Sequence, residues 1–173
     1  MAEKDSIYST SLKAKNVVFD FGEYYKFCYD WLMKEIILNS FAEKVYSEKI
    51  SGDSKEVEVK WEGSKKISDY FRLDVKVEMR ILGLKKVEVT KADGTKKKAD
   101  QAMENKITIK GILVRDYQGK FEKTPFLKFL RGMYERWIVP ERINQVEAKI
   151  VGDLEEFTGQ IKAYQALEGN TYS

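Results

Sequence analysis

From Phe71 to Ile81 the chain alternates without interruption. Phe71, Leu73, Val75, Val77, Met79 and Ile81 are apolar, and Arg72, Asp74, Lys76, Glu78 and Arg80 between them are charged. A side-chain period of two over that length specifies a β-strand with one face on a core and the other in water. The charges on the wet side alternate in sign as well, which suits cross-strand ion pairs on an open antiparallel sheet. The apolar set is expected to be buried, with Arg72, Lys76 and Arg80 in solvent.

The flanking segments extend this pattern into a meander of at least four strands. Residues 56–62 alternate with Val57, Val59 and Trp61 inward, and 45–50 form a weaker strand ahead of the turn Ser51-Gly52-Asp53-Ser54. The long strand spans residues 68–82, and Gly83 ends or bends it. Residues 86–91 continue with Val87 and Val89 inward, and Asp93-Gly94 marks a tight turn. Residues 105–115 return as a strand in which Ile112 and Val114 fall out of step with Ile107 and Ile109. Gly111 at that slip is the expected site of a β-bulge. Ahead of the meander, residues 16–21 read as a short strand. Residues 23–41 read as a helix, apolar on most sides and therefore either deeply buried or covered by a partner.

Behind the meander, Thr124-Pro125 opens a helix, threonine as N-cap and proline at the first helical position. Phe126, Leu127, Phe129, Leu130, Met133, Tyr134 and Trp137 supply its apolar side. Pro140 interrupts the hydrogen-bond ladder. Ile143, Val146, Ile150, Leu154, Phe157, Ile161 and Tyr164 then recur at threes and fours, a long amphipathic helix that is expected to stop near Glu168-Gly169. The whole, residues 1–173, reads as one α+β domain with frayed ends at about 1–12 and 169–173. Its antiparallel meander keeps one side in solvent, and the helices, including the long C-terminal one, pack on the other.

Composition narrows the chemistry. The chain has 173 residues, 43% hydrophobic and 34% charged, enough for one domain with a core. A net charge of +3 is too balanced to point to nucleic acid, and none is expected as a partner. There is no histidine and a single cysteine, Cys28. That removes the usual general base near neutrality, histidine-activated nucleophiles, disulfides and multi-cysteine zinc sites. No metal, no cofactor and no catalytic residue is expected, and the protein reads as a non-enzyme. The lone thiol fits a reducing, cytoplasmic setting. No apolar run reaches the ~20 residues of a membrane helix, and the polar start Met1-Ala2-Glu3-Lys4-Asp5 does not resemble a signal peptide.

Three local patterns invite chemistry. Asp20-Phe21-Gly22 matches the metal-binding triplet of protein kinases but lacks the glycine-rich loop and catalytic loop that accompany it. Val17-Val18-Phe19-Asp20 resembles the nucleophile strand of haloacid-dehalogenase-type phosphatases, yet Gly22 stands where that family has its second aspartate. Asp20 therefore reads as a helix cap. Lys85, Lys86, Lys91, Lys96, Lys97 and Lys98 crowd one hairpin, diluted by Glu88, Asp93 and Asp100 and without aromatics for base stacking. A solvated hairpin that protects a sheet edge accounts for them.

The element order carried by residues 16–21, 23–41, the strands between 56 and 115, and 140–168 resembles the helix-grip architecture of START-like lipid-binding domains. That resemblance implies a sheet curled around a C-terminal helix, with a hydrophobic small molecule or lipid between them. Trp61, Val75 and Val77 would line the ligand from the sheet, and Leu154, Phe157 and Ile161 from the helix. A second expectation from the surplus of aromatic surface is a self-associating interaction or structural protein. Its helices 23–41 and 125–139 would present Trp31, Phe126, Tyr134 and Trp137 to another copy.

Overall fold

The alternating segments assemble into a single antiparallel sheet, seen in a computed structural model that describes residues 2–91, 93–138 and 140–171. Among the described residues the strands are β1 (Glu3–Phe19), β2 (Ser40–Ser51), β3 (Ser54–Lys66), β4 (Phe71–Thr90) and β5 (Lys96–Arg115), in spatial order β1-β5-β4-β3-β2. Each step from β2 to β5 is a hairpin to the next neighbour, and β1 closes the far edge beside β5. The meander therefore has the solvent-facing side and helical layer that its alternation requires.

Helix α1 (Phe21–Asp30) runs on as a π-helical turn, Trp31–Ile36, that ends where Ile37 takes a left-handed conformation. Asp20 does cap α1. Its carboxylate accepts from the Glu23 amide at 3.1 Å, and Asp100 accepts from the Phe21 amide at 3.1 Å. Tyr24, Cys28, Leu32 and Ile36, four residues apart in turn, form its buried stripe. Helix α2 (Pro125–Met133) continues as a second π-helical turn, Tyr134–Ile138. As expected, Thr124 caps it by accepting from the Leu127 amide at 3.2 Å. Helix α3 (Pro140–Thr171) begins at the proline that breaks the ladder and runs past Gly169.

In β4 all six inward residues are buried, and Lys76 and Arg80 lie in solvent. Lys76 faces its register partner Glu62 at 3.7 Å, and Arg80 pairs with Glu56 at 2.8 Å. Arg72 is half-buried, paired with Asp74 and lying over the Tyr117 ring. Gly83 bends the strand instead of ending it. Its φ of +62° is a conformation that suits glycine, and after it the inward position passes from Ile81 to Leu84.

Three expectations need correction. The helix expected over 23–41 ends at Ile36, and Ser40 and Phe41 already belong to β2. Residues 3–12 do not fray: they pair with β5 from Glu3 opposite Arg115 to Leu12 opposite Ile107. The segment is polar because it is an edge strand, held partly by contacts such as Ser11 Oγ to Thr108 Oγ1 at 2.7 Å. Met1, Tyr172 and Ser173, at the ends expected to fray, lie outside the described residues. The bulge expected at Gly111 is on the neighbouring strand. Ser6 pairs with Ile112 and Tyr8 with Gly111, so Ile7 is the extra residue. Within β5 the inward row Asn105, Ile107, Ile109, Gly111, Leu113 is unbroken. Gly111 lacks a side chain because α3 needs the space: a Cβ there would stand 2.5 Å from Leu154 Cδ1.

Candidate functional site

The layer between sheet and α3 is tightly closed where a ligand is expected and open elsewhere. Trp61, Val75, Val77, Leu154, Phe157 and Ile161 belong to one core, none more than 2% exposed. Trp61 is held by an indole N–H donated to Glu43 Oε2 at 2.9 Å and by edge contacts with Tyr25 and Phe41 at 4.9 and 5.5 Å. Phe157 carries the Trp31 ring stacked on it at 6.3 Å. All six lie in one continuous core, in which Leu154 of α3 sits against Gly111 of β5 and Trp61 is covered by the first helix and β2.

A half-open cleft of about 150 Å³ lies nearer the start of α3. Ile36 enters it from the end of the first helix, Ile67 from the β3–β4 turn, Leu73 from β4, and Val146 and Ile150 from α3. Val146, Lys149, Ile150 and Asp153 recur at threes and fours, so one stripe of α3 faces the opening. Lys65 and Lys66 close the β3 side. Lys65 Nζ donates to the Ile36 carbonyl at 2.8 Å, which satisfies the helix end, and Lys66 pairs with Asp69 at 2.7 Å. Lys149 is exposed and in no ion pair among the described residues. The walls are apolar and the rim is charged, an arrangement that accepts an apolar group and leaves a polar end outside.

A polar island lies inside the core at the other end of α3. The Tyr24 hydroxyl is fully buried beside Cys28, Asn105 and Gln165, and among the described residues neither it nor the Asn105 carboxamide has a partner in good hydrogen-bond geometry. Burial raises the Tyr24 pKa well above its ordinary 10.0 and pushes the Cys28 thiol up to about 12. Both groups therefore stay protonated near neutrality, and the thiol is a poor nucleophile.

The residues expected at an interface divide. Trp31 is half-buried on the core, and Tyr134 packs edge-on against Tyr70 at 5.8 Å. Phe126 and Trp137 are 67% and 74% exposed. Phe129, Leu130 and Met133 join them on the outer side of α2, which buries none of its residues. The inner side carries the half-buried Leu127 and Tyr134 together with a polar cluster. Arg131 pairs with Glu135 at 3.1 Å, Glu3 at 3.3 Å and Glu122 at 3.5 Å, and Tyr70 donates its hydroxyl to Glu135. Most of the apolar side chains of this helix thus face away from the core.

Among the described residues no group of three or more histidine, cysteine, aspartate or glutamate side chains is placed to hold a metal ion. Nor is any helix there long and apolar enough to cross a membrane. No family model matches the chain, and neither a curated protein nor a solved structure does.

Sequence reasoning missed the cleft because its walls come from four separate segments. The available signal was the spacing of Val146, Lys149, Ile150 and Asp153 along α3. It also missed the polar island, which Asn105 marks by standing at an inward position of the row that Ile107 and Ile109 continue.

Proposed function

We propose that the protein is a non-catalytic binding module that takes the apolar end of a small amphiphile between the sheet and α3. One observation carries the reading: a half-open cleft there has five aliphatic walls and, at its rim, an exposed Lys149 that forms no ion pair among the described residues. The ligand site is thus displaced along α3 from the six residues at its tightly packed centre. At ~30 Å³ for a group the size of a water molecule, a cleft of about 150 Å³ takes a short alkyl or phenyl end. The rest of the molecule stays outside, where a carboxylate or phosphate meets Lys149.

Octanoate is a suitable probe. Titration followed by methyl NMR is expected to shift the Ile36, Leu73, Val146 and Ile150 signals together. Val146→Trp, which fills the mouth of the cleft, abolishes the shifts, and Lys149→Glu weakens binding about fivefold or more through loss of the charge-assisted contact. Shifts at other methyls, or unchanged binding by Val146→Trp, would overturn the reading.

A further inference from the structure

The outer side of α2 has a charge pattern that its apolar surface alone does not explain. Between residues 123 and 137 every exposed charged side chain is a cation: Lys123, Lys128 and Arg136. None of the three is in an ion pair among the described residues, and the Arg136 guanidinium lies over the Trp137 ring at 6.0 Å. The acid within this span, Glu135, is turned inward to Arg131 and Tyr70. Glu141 and Arg142, exposed just beyond, balance each other.

The anchoring is what fixes this presentation. Arg131 is 11% exposed and ties α2 to Glu3 at the start of β1, to Glu122 in the preceding loop and to Asp116 at the end of β5. With the polar side pinned to the end of the sheet, Phe126, Phe129, Leu130, Met133 and Trp137 have no core to enter. Aromatic and aliphatic side chains flanked by lysine and arginine suit the boundary of an anionic bilayer. There the rings enter the acyl edge and the cations stay with the headgroups.

We infer that the outer face of α2 docks on an anionic lipid surface. Charge complementarity selects this occupant over a second copy of the chain. A two-fold interface through the same face would bring Lys123, Lys128 and Arg136 toward their own copies, whereas an anionic surface meets all three with opposite charge. The inference is independent of the cleft.

Sedimentation with phosphatidylcholine vesicles containing about 30 mol% phosphatidylserine tests it. The protein is expected to pellet with these vesicles and to bind pure phosphatidylcholine on the order of a hundredfold more weakly, since each cation near an anionic surface strengthens binding about fivefold. Phe129→Glu and the pair Lys128→Glu with Arg136→Glu should each release the protein from the vesicles. Their urea midpoints should stay at the wild-type value, because the altered side chains are exposed. Trp137 fluorescence should shift to the blue on binding. Failure to pellet, or equal pelleting of all variants, would overturn the inference. So would a concentration-dependent dimer in sedimentation equilibrium that Phe129→Glu dissociates, which would assign the face to a second copy.

Discussion

Gly111→Ala tests how closely α3 sits on the sheet. The added methyl would lie 2.5 Å from Leu154 Cδ1, with Tyr8 Cβ at 3.5 Å and Leu73 Cδ1 at 3.9 Å. Carbon atoms in contact prefer ~3.5–4.0 Å, so the leucine must retreat by about 1 Å. Leu154 is fully buried and hemmed in by the core, which leaves it little freedom to do so. Overpacking of this kind costs ~1–3 kcal/mol. Leu154→Ala alone should cost ~2–5 kcal/mol through lost burial and a cavity. In that background the clashing atom is gone, and the new methyl fills part of the space it left. Gly111→Ala should then cost less than ~0.5 kcal/mol, or stabilise by restricting the unfolded chain. Urea titrations of wild type, both single variants and the double variant, followed by circular dichroism, give the coupling directly. A favourable coupling of at least ~1 kcal/mol is expected. Equal costs of Gly111→Ala in both backgrounds would refute the close-approach argument and shift the cause to the β5 backbone.

The two faces of β4 should respond differently: Val77→Ala is expected to lower stability by ~1–3 kcal/mol and Lys76→Ala by less than ~0.5 kcal/mol in the same urea assay, reflecting 1% exposure of the valine against a solvent-facing lysine paired at 3.7 Å. Equal effects would mean that a further layer covers the charged face. Alkaline stability should report Cys28. Its folded pKa is raised by burial from the ordinary 9.0 to about 12, so its contribution is fully present below pH 9 and is lost as pH rises toward 12. Tm measured from pH 8 upward should therefore fall, and Cys28→Ala should make the decline shallower, although Tyr24, raised by the same burial, keeps some slope. An unchanged slope in Cys28→Ala would refute this assignment.

The parts of the fold legible in the sequence were those where one strand carries large side chains on one face and charges on the other. β4 and the middle of β3 meet that condition. β1 does not, because its inward row of Tyr8, Thr10, Leu12 and Ala14 is only half-buried and mixed in polarity, its outward row includes the uncharged Ser9 and Ser11, and the extra residue Ile7 shifts its phase. The first half of β5 fails for a related reason. Its buried positions are Ala99 and Ala102, too small to signal a period, and Asp100 is buried beside them because it pairs with Lys86 at 2.8 Å and accepts from the first turn of α1. The apparent slip at Gly111 misled for a physical reason. Glycine reads as a break in an alternating pattern, yet here it continues the inward row at the one place where α3 leaves no room for a side chain. The candidate site was legible only in outline. Helical spacing identified α3 as the partner of the sheet, but where the layer opens depends on Ile36, Ile67 and Leu73 meeting from distant segments.

The orientation of α2 is the feature that local pattern could not decide. Its spacing defines an apolar side, and the ordinary expectation is that such a side turns inward. At ~150–250 Å² per aromatic side chain, the exposed fractions of Phe126, Phe129 and Trp137 leave on the order of 400 Å² of ring surface in water. At ~25 cal/mol per Å² that is about 10 kcal/mol of transfer free energy unrealised in the isolated chain, comparable with the whole stability of many domains. What opposes rotation of the helix is the set of acceptors around Arg131. Asp116 is 2% exposed, and its side chain also receives the Lys120 amide at 3.0 Å. Turning α2 over would withdraw the guanidinium from this buried carboxylate and from Glu135, and a buried charge stripped of its partner costs ~3–5 kcal/mol. It would also break the Tyr70–Glu135 hydrogen bond and bring Lys128 and Arg136 against the end of the sheet. The polar network therefore holds the apolar side outward. In the same arrangement the cations flank that side and Glu135 is kept away from it, so apolar contact and charge complementarity fall on one surface.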